Sequence, residues 1–186
     1  MINFENLIQI LKYGTWDKKL EASETLVNFD KDRVLEAVLP LLQSQDDDIR
    51  DAVALTLRDL QSNKSVAPLI DAIVNPINPE NISTLVYALE SLDCRNYFAE
   101  VFDMALSSKP DIQIGACNIL QEQNFVITKN ELEYVSYLLK QSHVHIFFYK
   151  CLKKVIKQIT MTTKRKKGAK IGKKRRNQKK LGKRKT

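Results

Sequence analysis

The strongest constraint on this chain is internal. The segment Asp48-Ile49-Arg50-Asp51-Ala52-Val53-Ala54 has a counterpart 63 positions later, Asp111-Ile112-Gln113-Ile114-Gly115-Ala116-Cys117. Midway between them, Asn81 to Leu89 places Leu85, Leu89 and Leu92 at an offset of 32 from Val53, Leu57 and Leu60. Moving back 31 positions from Val53, Leu57 and Leu60 finds Ala22, Leu26 and Phe29. The expectation is four copies of one apolar pattern at i, i+4, i+7, which is the spacing of one face of an α-helix. A fixed period of this size means stacked repeats: one unit cannot bury its own apolar face and uses its neighbour to do so.

Each copy precedes a second amphipathic segment: Val34 to Leu42, Val66 to Val74, Tyr97 to Leu106 and Leu132 to Leu139. The first two share a proline element, Val38-Leu39-Pro40-Leu41-Leu42 and Val66-Ala67-Pro68-Leu69-Ile70. Proline lacks an N–H and is tolerated in a first helical turn, so Pro68 is expected near a helix start, whereas Pro40 kinks or restarts its helix. Polar or proline-bearing joints separate the pairs: Gln43 to Asp47, Asn75 to Pro79, and Ser107 to Pro110. Asp47 or Asp48, and later Asp111, are expected to cap helix N-termini by accepting backbone N–H bonds. Residues 2–13, with Phe4, Leu7, Ile8 and Leu11, supply an N-terminal cap helix. A second cap helix is expected over His143 to Ile159.

These residues resemble a known family. Asp48-Ile49-Arg50 with the alanines and leucines that follow, and then Val66-Ala67-Pro68-Leu69-Ile70, are similar to HEAT-like (armadillo-type) helical repeats, especially the short form found in phycobilisome lyase subunits. The resemblance covers roughly residues 16–142 and is weakest in the third copy, where the usual Asp and Arg are missing. It implies an all-α, right-handed α-α superhelix (solenoid) of about four helix pairs, whose second helices line a concave, partner-binding side. On those segments stand the candidate partner-binding residues Arg33, Glu36, Asp71, Tyr97, Glu100, Asp103, Tyr134 and Tyr137. Acids predominate among them, which favours a basic protein partner, and the tyrosines are plausible anchors.

Charge divides the chain. Residues 161–186 contain fourteen Lys or Arg and no acid, whereas residues 1–160 hold sixteen bases against 22 acids. The total of +8 is therefore an acidic body of −6 joined to a tail of +14. The expected domains are a repeat domain, 1–160, and a disordered polybasic tail, 161–186, since like-charge runs with interspersed glycines disfavour a fold. The tail's clusters, Lys164-Arg165-Lys166-Lys167 and Lys173-Lys174-Arg175-Arg176, are candidates for nonspecific phosphate binding, with nucleic-acid contact through residues 164–185. The tail lacks aromatics to stack on bases. In a eukaryotic cell the same clusters would read as a nuclear-import signal. Folding back over the acidic face is a further reading, and lysine-rich drift without function is another.

No catalytic constellation emerges from the residues. His143 and His145 are two positions apart, which on a helix points them roughly 200° apart and unsuits them to chelate one metal. Cys94, Cys117 and Cys151 are odd in number and widely spaced, which suits reduced, packed thiols. Gln45-Asp46-Asp47-Asp48 lacks the alternate ligands, central glycine and distal glutamate of a calcium loop. The stretch from Gly168 to Lys174 is one residue short of a phosphate loop and lacks its hydroxyl. No metal, no cofactor and no enzymatic activity are expected, and no apolar run approaches the ~20 residues of a membrane span. The N-terminus lacks the features of a signal peptide, so a cytoplasmic protein is expected. The expected function is a non-enzymatic protein-binding adaptor or scaffold whose basic tail attaches electrostatically. The alternatives are a nucleic-acid-associated protein acting through that tail and an immunity or chaperone-like protein masking a basic client. More remote is a DNA glycosylase or bilin-lyase relative, the former disfavoured by the acidic body.

Overall fold

The computed structural model describes residues 3–138, 140, 151, 153 and 155–157, and every element among them is helical. The chain divides into two compact units, Met1–Val126 and Ile127–Thr186. In the first unit the helices are α1 (Phe4–Tyr13), α2 (Trp16–Leu26), α3 (Lys31–Val38), α4 (Asp47–Leu60), α5 (Val66–Val74), α6 (Ser83–Leu89), α7 (Phe98–Ala105) and α8 (Pro110–Glu122). In the second unit lies α9 (Lys129–Leu138), and residues 151, 153 and 155–157 are helical. The histidines, most of the expected second cap helix, and the tail 161–186 lie outside the described residues.

The first unit stacks as the repeat predicts. The first helices of successive copies pack on one another in order, α2 on α4, α4 on α6 and α6 on α8, while α5 packs on α6 and α7 on α8. The predicted apolar positions form the seams: Ala22 and Leu26, then Val53, Leu57 and Leu60, then Leu85, Leu89 and Leu92, and then Ala116 and Leu120 are all buried. In the fourth copy the i+7 position is Gln123, so the three-point apolar pattern does not extend that far. Helix α1 buries Phe4, Leu7, Ile8 and Leu11 as expected, and packs on α2. Phe4 also meets Phe29 edge-on, with ring centroids 5.4 Å apart.

Local chemistry explains the boundaries. Pro68 is the third residue of α5, within the turn where its missing N–H costs nothing. Pro40 restarts rather than kinks: α3 ends at Val38 and a 3-10 turn, Leu39–Gln43, carries the proline in its opening residues. The cap of α4 is Asp46, one residue before the pair expected from sequence; its Oδ1 accepts from Asp48 N at 2.9 Å and Ile49 N at 3.3 Å. Asp111 likewise sits inside the first turn of α8, after Pro110, and Lys109 is the capping position. These offsets arise because the serine at each joint sets the turn: Ser44 Oγ accepts from Asp46 N at 3.1 Å and Ser107 Oγ from Lys109 N at 3.2 Å.

Asp46 also reaches the preceding repeat, accepting from the buried Lys19 ammonium at 3.1 Å. Desolvation alone would push its carboxyl up, but Lys19 and the two helix N–H groups together hold it below the ordinary range. A carboxylate with a depressed folded pKa stabilises above its unfolded pKa and loses that contribution as pH falls through the folded value. Asp46→Asn keeps a capping oxygen but removes the charge that faces the buried Lys19 ammonium, and is therefore expected to lower denaturation stability at neutral pH by ~1 kcal/mol or more. The gap between variant and wild type should shrink as pH falls below about 4, and a pH-independent gap would contradict this role.

Candidate interaction surfaces and the ties between repeats

Bonds between side chains of successive copies run the length of the first unit. Arg33 of α3 bonds Glu5 of α1 at 2.6 Å, and Lys64 bonds Asp32 of α3 at 2.6 Å. Asn78 donates to Asp47 at 2.7 Å, and Ser83 donates to Asp111. Lys109 bonds Glu80 at 2.9 Å and the Pro79 carbonyl at 2.8 Å. The Val126 N–H donates to the Arg95 carbonyl at 2.9 Å. The side-chain ties join partners that stand 28 to 32 positions apart, so the sequence period reappears as a ladder of polar bonds.

A second set of ties fixes each joint to the helix that follows it. Arg50, buried on α4, donates to the Ser44 carbonyl at 2.6 Å and also pairs with Asp47. Gln113, its counterpart 63 positions on, donates to the Ser107 carbonyl at 3.4 Å and the Ala105 carbonyl at 3.2 Å. Two different side chains thus make the same six-residue reach. In the third copy the apolar alignment puts Ile82 here. The cap position of α6 makes no side-chain bond, and that helix is only 7 residues long against 14 for α4. This is the physical content of the weak third repeat in the sequence.

Gln123 shows why the apolar pattern ends where it does. Its Oε1 accepts from Cys94 N at 2.7 Å and its Nε2 donates to the Leu92 carbonyl at 2.7 Å, so it satisfies the backbone of the preceding copy. Nearby, Phe98 of α7 packs on Phe102 and, edge-on, on Phe125. Burial, with the adjacent Asp93 carboxylate, pushes the Cys94 thiol up to about 12. Cys94, Cys117 and Cys151 are all buried. Cys117 stands at the inward position held by Ala54 in the second copy and, by the same offsets, by Val86 rather than Ala88 in the third, and all of these are buried.

The predicted partner residues fall into separate groups. Glu36 shares α3 with Arg33 and is exposed, as are Asp71 on α5 and Asp103 on α7. Glu100 is partly exposed one turn before Asp103 on the same face of α7, and Tyr97 is half-buried at the start of that helix. Tyr134 and Tyr137 are exposed on α9 and belong to the second unit. Arg33 differs from its expected role: its guanidinium bonds Glu5 and lies 4.1 Å from the centroid of the Phe4 ring, so α1 uses it. The tail residues Lys164, Arg165, Lys166, Lys167, Lys173, Lys174, Arg175 and Arg176 lie outside the described residues.

Sequence reasoning missed the ties and a groove between α6 and α8. The signal for the ties was present in the joints, where serines recur at Ser44 and Ser107 and polar side chains at Arg50 and Gln113, both at the 63-residue offset. Among the described residues no group of three or more His, Cys, Asp or Glu is placed to hold a metal ion, and no helix is long and apolar enough to cross a membrane.

The fold thus defines a helical-repeat protein. Residues 4–90 match the family model described as HEAT repeats. The match covers α1 to α6, while the joint geometry carries the same pattern on to α8. No curated protein and no solved structure matches the chain, and nothing ties it to phycobilisome lyase subunits in particular.

Removing the bridge at the end of the array should be costly. Gln123→Ala strands the Cys94 N–H and the Leu92 carbonyl and is expected to cost about 1–3 kcal/mol in chemical denaturation. The Cys94 thiol should resist alkylation at pH 8 in the native chain and react once unfolded. Fast labelling of native Cys94 would contradict its burial.

Proposed function

We propose that the chain is a non-enzymatic adaptor that captures a basic protein partner on the second helices of its repeats. HEAT repeats are commonly protein-interaction scaffolds. The observation that carries the reading is the fate of the one base in the predicted partner set. Arg33 is engaged by Glu5 and Phe4 of α1, while Glu36, Asp71 and Asp103 remain exposed and Glu100 partly so. Asp71 accepts a neutral amide, from Asn75 at 2.9 Å, which leaves its charge in place. Such a surface raises the on-rate of a basic partner at low salt.

The same reading gives the tail a separate task, electrostatic attachment to phosphates. Fourteen bases without one acid in 26 residues are the specific support for it. The tail would then hold the adaptor on nucleic acid without sequence preference, as counterion release does.

Reversing Glu100→Lys and Asp103→Lys together should weaken binding to immobilised polylysine by roughly tenfold or more at low salt, with helical circular dichroism unchanged. Unchanged binding would remove α7 from the proposal. Neutralising the tail cluster by Lys173→Gln, Lys174→Gln, Arg175→Gln and Arg176→Gln should flatten the salt dependence of duplex DNA binding, by a slope of ~0.9 for each phosphate that is no longer neutralised. An unaltered slope would remove the tail from it.

A further inference from the structure

An open groove of about 400 Å³ runs between α6 and α8, lined by Ser83, Thr84, Tyr87 and Glu90 on one side and by Asp111, Ile114 and Gly115 on the other. Its lips are apolar and exposed: Tyr87 keeps 50% of its surface open and Ile114 keeps 48%. Both side chains are large, and neither is covered by the stacking that buries Leu85, Leu89, Ile112 and Leu120 on the same two helices. Arg58 of α4 lies 5.0 Å from the Tyr87 ring centroid and steadies the aromatic lip from outside.

Gly115 forms the floor. A Cβ added there would meet Val86 Cγ1 at 3.0 Å and Glu90 Oε1 at 3.2 Å, so glycine permits the close approach of the two helices and leaves the groove open. Its counterpart in the second copy is Ala52. Glycine inside a helix costs roughly 1 kcal/mol relative to alanine, and here that cost accompanies a recess rather than a turn.

Each end of the groove carries a carboxylate held by the opposite helix. At one end Asp111 accepts from the Ser83 hydroxyl, and this bond, aided by backbone N–H groups and Lys109 against slight desolvation, holds its carboxyl below the ordinary range. At the other end Glu90 Oε2 accepts from Asn118 Nδ2 at 3.4 Å. Ser83 and Glu90 are seven residues apart, a rise of roughly 10 Å on a helix. The groove is thus apolar in the middle and negative at both ends.

We propose that this groove docks an extended peptide from a partner protein, with an aliphatic residue flanked two positions either side by Lys or Arg. In an extended strand, residues at i, i+2 and i+4 point the same way at ~3.3 Å per residue, so the aliphatic side chain meets Tyr87 and Ile114 while the flanking cations meet Asp111 and Glu90. The site stands on the first helices, apart from Glu100 and Asp103, and shares with the proposed function only the basic character of the partner.

The test is fluorescence anisotropy on the full chain with a labelled Arg-Ala-Leu-Ala-Arg peptide. Saturable binding is expected, weakened roughly tenfold by Ile114→Ser, a change at an exposed position that spares the fold. Glu90→Gln should weaken it several-fold and reduce its salt dependence, and exchanging the peptide's Leu for Ser should mimic Ile114→Ser. If Ile114→Ser and Glu90→Gln leave the affinity unchanged, or the Leu-to-Ser peptide binds equally well, the groove is not the site. Should Glu100→Lys with Asp103→Lys abolish binding while Ile114→Ser does not, the peptide belongs to the second-helix surface and this proposal fails while the earlier one stands.

Discussion

The architecture depends on one constraint: the apolar stripe on each first helix cannot bury itself and is covered only by its neighbours, the adjoining first helix and the second helix beside it. Leu26, Leu57, Leu89 and Leu120 sit at equivalent places in successive copies and are all fully excluded from water. Stability in such an array is a sum of repeat and neighbour terms, which makes every seam matter. It also explains why polar groups accumulate at the seams. Two helices pressed together by leucines can still slide by a turn, and directional bonds such as those of Asn78 and Ser83 fix the register that apolar contact leaves loose.

Buried cations are the expensive part of this solution. Lys19 and Arg50 are each almost wholly excluded from solvent, and a buried charge is tolerable only when paired and hydrogen-bonded. Lys19 meets a carboxylate of the next copy, while Arg50 spends its donors on its own joint. Burying a cation thus serves two purposes in two repeats, one between copies and one within a copy. In the fourth copy a neutral glutamine does the second of these jobs without the charge.

Much of the fold was legible because helix periodicity and repeat period are carried by the same apolar residues. The α1 cap, the four first helices and the roles of Pro40 and Pro68 followed from spacing and from what proline lacks. Cap positions were misjudged by a residue or two at Asp46 and Asp111, since a joint serine, rather than the run of acids, decides where the helix begins. The candidate site was harder to read. Side-chain type marked Glu100 and Asp103 as acids open to a partner, but nothing local to Arg33 announced that Glu5 and Phe4, 28 and 29 positions earlier, would claim it. The groove was equally silent, because Gly115, Tyr87 and Ile114 become neighbours only when α6 and α8 stack.

The joint ties also bear on where a chain of this kind can change length. A residue inserted between Ser44 and Arg50, or between Ser107 and Gln113, would pull a side-chain donor off its carbonyl. Those joints are short: three residues separate Gln43 from Asp47, and four separate Ala105 from Pro110. Before α6, where Ile82 has no donor to lose, eight residues and two prolines lie between Val74 and Ser83. An insertion at that joint pulls no such donor off its carbonyl, but Asn78, Pro79 and Glu80 tie it to both neighbouring copies, so added length is tolerated only on either side of that trio.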